Sequence, residues 1–149
     1  MKRWVTADWH LGHKNIIRYC NRPFKNVTEM DRTIIENHNS AVGMNDIVYF
    51  LGDFCFYSYP QNFFFDLNGN WQFVKGNHDK QSFFKSFPYE ISVLYGKKSI
   101  CMRHDPNFIK RCDLNLCGHV HEKWREREGI INVGVDVWDF KPVNLDVLI

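Results

Sequence analysis

Five short stretches of the chain carry side chains able to hold a metal ion. Asp8 and His10 stand two apart. Asp53 follows Gly52. Asn77, His78 and Asp79 follow Gly76. His104 lies in Arg103-His104-Asp105-Pro106, and His119 and His121 stand two apart behind Gly118. Every one of these groups offers an oxygen or an imidazole nitrogen, a donor set that suits Mn²⁺, Fe or Zn²⁺ and not soft metals. In extended chain, residues two apart point to the same side. Asp8 with His10, and His119 with His121, can therefore each reach one ion. A polar turn accounts for any single stretch taken alone; the five together point to a metal site. One rival is a structural zinc held by Cys112, Cys117, His119 and His121, but this His spacing is unsuited to the helical arm of a zinc finger.

The elements before these stretches read as strands. Arg3 to Ala7 is short and β-prone, and it ends at Asp8. Ile47-Val48-Tyr49-Phe50-Leu51 is continuously apolar, as expected of a strand covered on both faces, and it runs into Gly52-Asp53. Trp71 to Lys75 leads into Gly76, where glycine permits a sharp turn. Ile91 to Met102 reads as a hairpin turning at Gly96-Lys97-Lys98, and Leu114 to Cys117 as a further strand ending at Gly118. Thr28 to about Val42 is the clearest helix, with Thr28-x-x-Asp31 as its capping box and Met30, Ile34 and Ile35 at helical spacing. His38 within it reads as structural or solvated. Residues 131–137 and 143–149 alternate in polarity and are expected to form two strands antiparallel to each other. Asp136 in the first of these fits either a supporting acid or a turn. The aromatic stretch Phe54, Phe56, Tyr57 and Tyr59 reads as core or pocket wall.

Composition limits the function classes. The 149 residues suit one domain, expected over 1–149 without a cap, and 44% hydrophobic residues with thirteen Phe supply its core. A formal net charge of +2 gives no sign of a nucleic-acid arm or a membrane-surface helix. No stretch approaches the ~18 consecutive apolar residues of a membrane span. Asp8 interrupts any apolar leader, so a cytoplasmic protein is expected, with its five cysteines as reduced, buried thiols. His13, Lys14 and Asn15 precede a short helix and are candidate anion contacts; His13 and Arg22 are the candidate substrate-binding residues.

The ordered set Asp8-x-His10, Gly52-Asp53, Gly76-Asn77-His78-Asp79, His104 and Gly118-His119-x-His121 resembles the calcineurin-like metallophosphoesterase superfamily. All five blocks of its pattern are present. The DWHLGHKNI, CNRPF and NVGVDVWDFKPV stretches look like its small bacterial and phage members. The resemblance implies an α/β fold, a four-layer α-β-β-α sandwich of two mixed sheets flanked by helices, with the site at one edge. It implies two divalent ions, Mn²⁺ first, with Fe or Zn²⁺ as alternatives. One would take Asp8, His10, Asp53 and His121, the other Asp53, Asn77, His104 and His119. Hydrolysis would proceed by in-line attack of a metal-bridging hydroxide on phosphorus. Asn77 would stabilise charge on the phosphoryl oxygens, His78 would serve the leaving group, and Asp79 would orient His78. The expected substrate is a phosphodiester, or a monoester, of a nucleotide or small molecule. Two other readings are a nuclease acting on DNA or RNA and a metal-binding scaffold, the use the superfamily's retromer subunit makes of this fold.

Overall fold

Alternating and continuous apolar runs build two mixed sheets in the computed structural model, which describes residues 1–107 and 111–149. The first sheet contains β1 (Arg3–Thr6), β2 (Ile47–Phe50), β3 (Asn70–Phe73) and β9 (Val143–Asn144), in the order β3-β2-β1-β9. The second contains β4 (Glu90–Tyr95), β5 (Lys98–Arg103), β6 (Leu114–Cys117), β7 (Glu126–Arg127) and β8 (Ile130–Asn132), in the order β4-β5-β6-β8-β7. The apolar core between them joins Val5, Ala7, Tyr49 and Leu51 to Ile100, Met102, Leu116 and Val133.

Strand direction positions the chemistry. β1, β2 and β3 are mutually parallel and in register, Thr6 opposite Phe50 and Phe50 opposite Phe73. Their carboxyl ends therefore fall on one edge of the sheet. β5 and β6 are also parallel. The loops after these five strands carry the five ligand stretches.

The helices are few: α1 (Ile16–Tyr19), α2 (Val27–Ala41) and α3 (Leu145–Leu148) among the described residues. α2 buries Met30, Ile34 and His38 along one face, four residues apart, as helical periodicity requires. That face belongs to a second core, on the outer side of the first sheet, where Trp9 stacks on Phe54 at 5.5 Å and meets Phe50 edge-on at 5.5 Å. His38 is structural. Its Nε2 lies 2.9 Å from the Asn68 carbonyl, and burial lowers its pKa to about 4.

Three local expectations are corrected. The cap of α2 is Asn26, whose Oδ1 accepts the Glu29 N–H at 2.9 Å while Glu29 accepts the Lys25 N–H at 2.8 Å. Asp31 turns away from the helix end and accepts the Gly12 N–H and the Tyr57 hydroxyl. The two C-terminal alternating runs do not pair. β8 lies parallel to β6 in the second sheet, and β9 lies antiparallel to β1 in the first. Asn132 breaks the first run, because its amide donates to the His121 and Trp124 carbonyls and its Oδ1 accepts the Gly134 N–H. Residues Val135–Val137 then form a 3₁₀ turn, and Asn144 caps α3 by accepting the Asp146 N–H. The third correction concerns the cysteines. Cys101 and Cys112 form a disulfide, with Cα atoms 5.6 Å apart, and Cys20, Cys55 and Cys117 are buried thiols. Cys112, held in the disulfide, is thus no zinc ligand, which removes the structural-zinc rival. No helix of the described residues is long and apolar enough to cross a membrane.

Replacing Asn26 by Ala removes the α2 cap and is expected to cost about 1 kcal/mol. Thr28→Ala, at the cap position read from sequence, is expected to stay within ~0.5 kcal/mol of wild type. Urea unfolding of both variants checks the assignment.

Candidate metal centre

The ligand loops leave their strands in an unusual conformation. Asp8, His10, Asp53, His119 and His121 all have left-handed backbone, with φ between 50° and 74°. Each such residue costs about 1–3 kcal/mol and persists only where its surroundings over-determine it. Here the surroundings are other ligand loops. The Asp8 N–H donates to the Gly52 carbonyl at 3.0 Å and the His10 N–H to the Asp53 carbonyl at 3.1 Å. The Asp79 carboxylate, buried, accepts the N–H groups of Gly76, Asp53 and Phe54 at 2.7, 2.9 and 3.0 Å. Burial pushes its pKa up, against the pull of those three donors. Gly76 is required sterically, since a Cβ there would stand 2.3 Å from Asp53 Oδ1.

These constraints gather the side chains. His104 Nε2 lies 3.2 Å from Asp53 Oδ2, 2.9 Å from Asn77 Oδ1 and 3.2 Å from His119 Nδ1. One N–H cannot serve three partners. His104 Nδ1 lies 2.8 Å from the Leu51 carbonyl, an N–H acceptor that directs Nε2 into the cluster. On the other side, Asp53 Oδ2 faces His10 Nε2 at 3.4 Å, and the rings of His10 and His121 are 5.0 Å apart. Ligand atoms of Asp8, His10 and His121 lie within 4.8 Å of one another, as do those of Asp8, Asp53 and His104. Asp53 thus stands between two groups. It does so through Oδ2, because Oδ1 accepts the His78 N–H at 2.9 Å. Buried Asp8 Oδ1 and His10 Nε2 have no hydrogen-bond partner among the described residues. Unsatisfied buried donors and acceptors of these types fit a divalent cation.

Electrostatics agree with that fit. Burial raises the Asp8 carboxyl to about 6 despite the nearby imidazoles. Burial also opposes ionisation of Asp53, but the His10 and His104 imidazoles beside it win and hold it well below the usual carboxylate range. Burial lowers His10 to about 4. It works against charge on His104 too, yet the Asp53 hydrogen bond and the Asp8 charge raise that ring to about 9. His121 rises to about 10 in spite of burial, because of its hydrogen bond to Asp136. Two carboxylates therefore draw protons onto two histidines, as a cluster of metal ligands does without its cation.

Asn77, His78 and His119 are exposed at the rim. His78 lies 5.5 Å, ring to ring, from His10. His13 is at the edge, its Nδ1 3.1 Å from His10 Nδ1. Two expected roles change. Asp79 bonds backbone N–H groups and not the His78 ring, so it positions loops. Arg22 is no surface contact. Its side chain is buried, donating to the Trp9 carbonyl at 2.9 Å, to the Asp8 carbonyl at 2.6 Å and through two nitrogens to Asp136. Asp136 in turn accepts from His121 Nδ1 at 3.3 Å. Asp136 thus lies in the 3₁₀ turn and also backs the His121 ring. Cys20, which no spacing in the sequence singles out, lies with His121 and Asp136 in a third close trio.

Fold and cluster define a two-sheet α/β protein with a candidate Asp/His metal site at one sheet edge. Residues 1–108 match the calcineurin-like phosphoesterase family, and the chain belongs to it. An uncharacterized protein of Methanocaldococcus jannaschii, MJ1445, is 35% identical over 163 residues, covering 99% of this chain and 89% of that one. The crystal structure of AQ665 from Aquifex aeolicus, a protein of unknown function, superposes with a TM-score of 0.78 at 26% identity, over 99% of both chains. Vps29 from Entamoeba histolytica, solved with Zn²⁺, shares the fold at a TM-score of 0.53 and 18% identity, over 90% of this chain and 74% of that one.

Arg22→Met leaves the buried Asp136 charge without its main partner, and the expected loss of stability is about 3–5 kcal/mol by urea unfolding. A substrate contact at the surface would move stability by less than ~0.5 kcal/mol.

Proposed function

We propose that this protein is a metal-dependent phosphoesterase that hydrolyses phosphodiesters, and monoesters less well, with two divalent ions, Mn²⁺ foremost. The observation that carries this reading is the convergence of Asp53, Asn77 and His119 on one nitrogen of His104, opposite the Asp8–His10–His121 group. Asp8, His10, Asp53 and His121 would hold one ion, and Asp53, Asn77, His104 and His119 the other. Bound there, the ions supply Lewis-acid polarisation of phosphoryl oxygens and a water nucleophile at neutral pH.

The chain's own residues do the remainder. Asp53 Oδ1 fixes the His78 backbone, so the imidazole stands at the open rim, where a leaving oxygen can take its proton. The Asn77 amide, exposed beside His104, is placed to donate to a phosphoryl oxygen. His13 extends the rim and can contact the substrate's anionic group. Exposure of Asn77, His78 and His119 supports an open site that accepts varied leaving groups. Nucleotides and small phosphodiesters are the substrates we favour over DNA or RNA, because the net charge is only +2. The fold likeness to Vps29 keeps a scaffold role as the second reading.

Metal-stripped protein should be inert towards bis(p-nitrophenyl) phosphate and regain turnover with Mn²⁺, with the monoester p-nitrophenyl phosphate slower. No turnover of either ester at full metal occupancy favours the scaffold. His78→Ala should lower kcat about 10²- to 10⁴-fold, as loss of a general acid does, with metal content unchanged by elemental analysis. An unchanged kcat removes His78 from the reaction.

A further inference from the structure

The sequence groups Phe54, Phe56, Tyr57 and Tyr59 together, but the structure separates them. Phe54 is fully buried in the outer core, whereas Phe56 is 48% exposed. Phe56 also borders two histidines of the candidate site. Its centroid lies 6.0 Å from His10 and 5.8 Å from His78. One of its faces already carries a flat ring, since His13 stacks on it at 3.9 Å with planes 15° apart.

The exposure does not come from a loose loop. The Phe56 N–H donates to the Leu11 carbonyl at 2.8 Å, which pins it to the loop carrying Asp8 and His10. Tyr57, next in the chain, bonds Asp31, and Asp31 also holds the Gly12 N–H. The Gln81 amide donates to the Cys55 and Tyr57 carbonyls at 2.9 and 2.8 Å. These bonds fix two walls of a cavity of about 440 Å³ that opens beside His78, with Lys80 and Ser58 at its polar side. The size is that of a small-molecule site. An exposed phenyl ring held rigidly in such a place gives a π-face without an ordering cost, and the Lys80 ammonium complements an anion.

We infer that Phe56 is a specificity-determining residue that stacks the base of a nucleotide, so that the favoured substrates are nucleoside phosphate esters whose leaving nucleoside occupies the cavity beside His78. This inference rests on the phosphoesterase reading for its orientation, because His78 marks the leaving side. The stacking itself needs no turnover. Ring-on-ring contact tolerates any base, so selectivity among bases is expected to be weak.

The test uses 2-aminopurine riboside, a fluorescent nucleoside with no ester to hydrolyse, on protein loaded with a diamagnetic divalent ion. Wild type should quench its fluorescence saturably. Phe56→Leu should weaken binding about tenfold, and Phe56→Trp should retain it. Equal binding by the Leu variant, or no quenching by wild type, overturns the inference even if bis(p-nitrophenyl) phosphate is hydrolysed. Quenching that depends on Phe56 in a protein that hydrolyses neither p-nitrophenyl ester upholds the stacking and counts against the phosphoesterase reading instead.

Discussion

The Asp79 carboxylate, accepting three backbone N–H groups from two different loops, is the interaction on which the site depends. It locks the turn after β3 to the turn after β2. That lock sets Asp53, whose Oδ2 stands between His10 and His104 and whose Oδ1 holds the His78 backbone. A second buried clamp acts on the opposite side. Arg22 grips the carbonyls of Asp8 and Trp9 and presents Asp136 to His121. Between the two clamps, five left-handed residues are held where the chain would not place them alone. At about 1–3 kcal/mol each, that strain is comparable to the whole stability of an ordinary domain, about 5–15 kcal/mol. The two packed cores and the clamps must offset it.

The parallel strands explain why five distant stretches meet. Parallel pairing aligns carboxyl ends, so each ligand needs only to follow its strand by one to four residues. This part was legible in the sequence. Apolar runs ending in Asp8, Asp53, Asn77 and His119 revealed both the strands and the ligands, because polarity changes abruptly where a buried strand leaves the sheet. The family match over residues 1–108 agrees with that reading.

Other features were not legible, for identifiable reasons. Arg22 reads as a surface cation until a partner 114 positions away neutralises it, and no local pattern announces such a pair. Asp79 sits where an acid could orient His78, and its three N–H donors become visible only once the two loops are adjacent. Val143 to Ile149 alternates as a strand would, but Asn144 caps a helical turn and buries Leu145. Cys101 and Cys112 are eleven residues apart, and only the pairing of β5 with β6 brings them together. Phe56 and Phe54 are the same residue type two positions apart, and the bend that follows the Leu11–Cys55 bridge sends one to the core and the other to the site.

The central claim is that the cluster is a divalent-metal centre held ready by its own electrostatics. Without a cation, His104 and His121 keep their protons to about pH 9 and 10, so both are charged at pH 7 and must release protons on ligation. Titration calorimetry of metal-stripped protein with Mn²⁺ at pH 7, in buffers of different ionisation enthalpy, measures this directly. The account predicts two ions per chain, net proton release and affinity that rises with pH. Binding without proton release, or no binding, would contradict it.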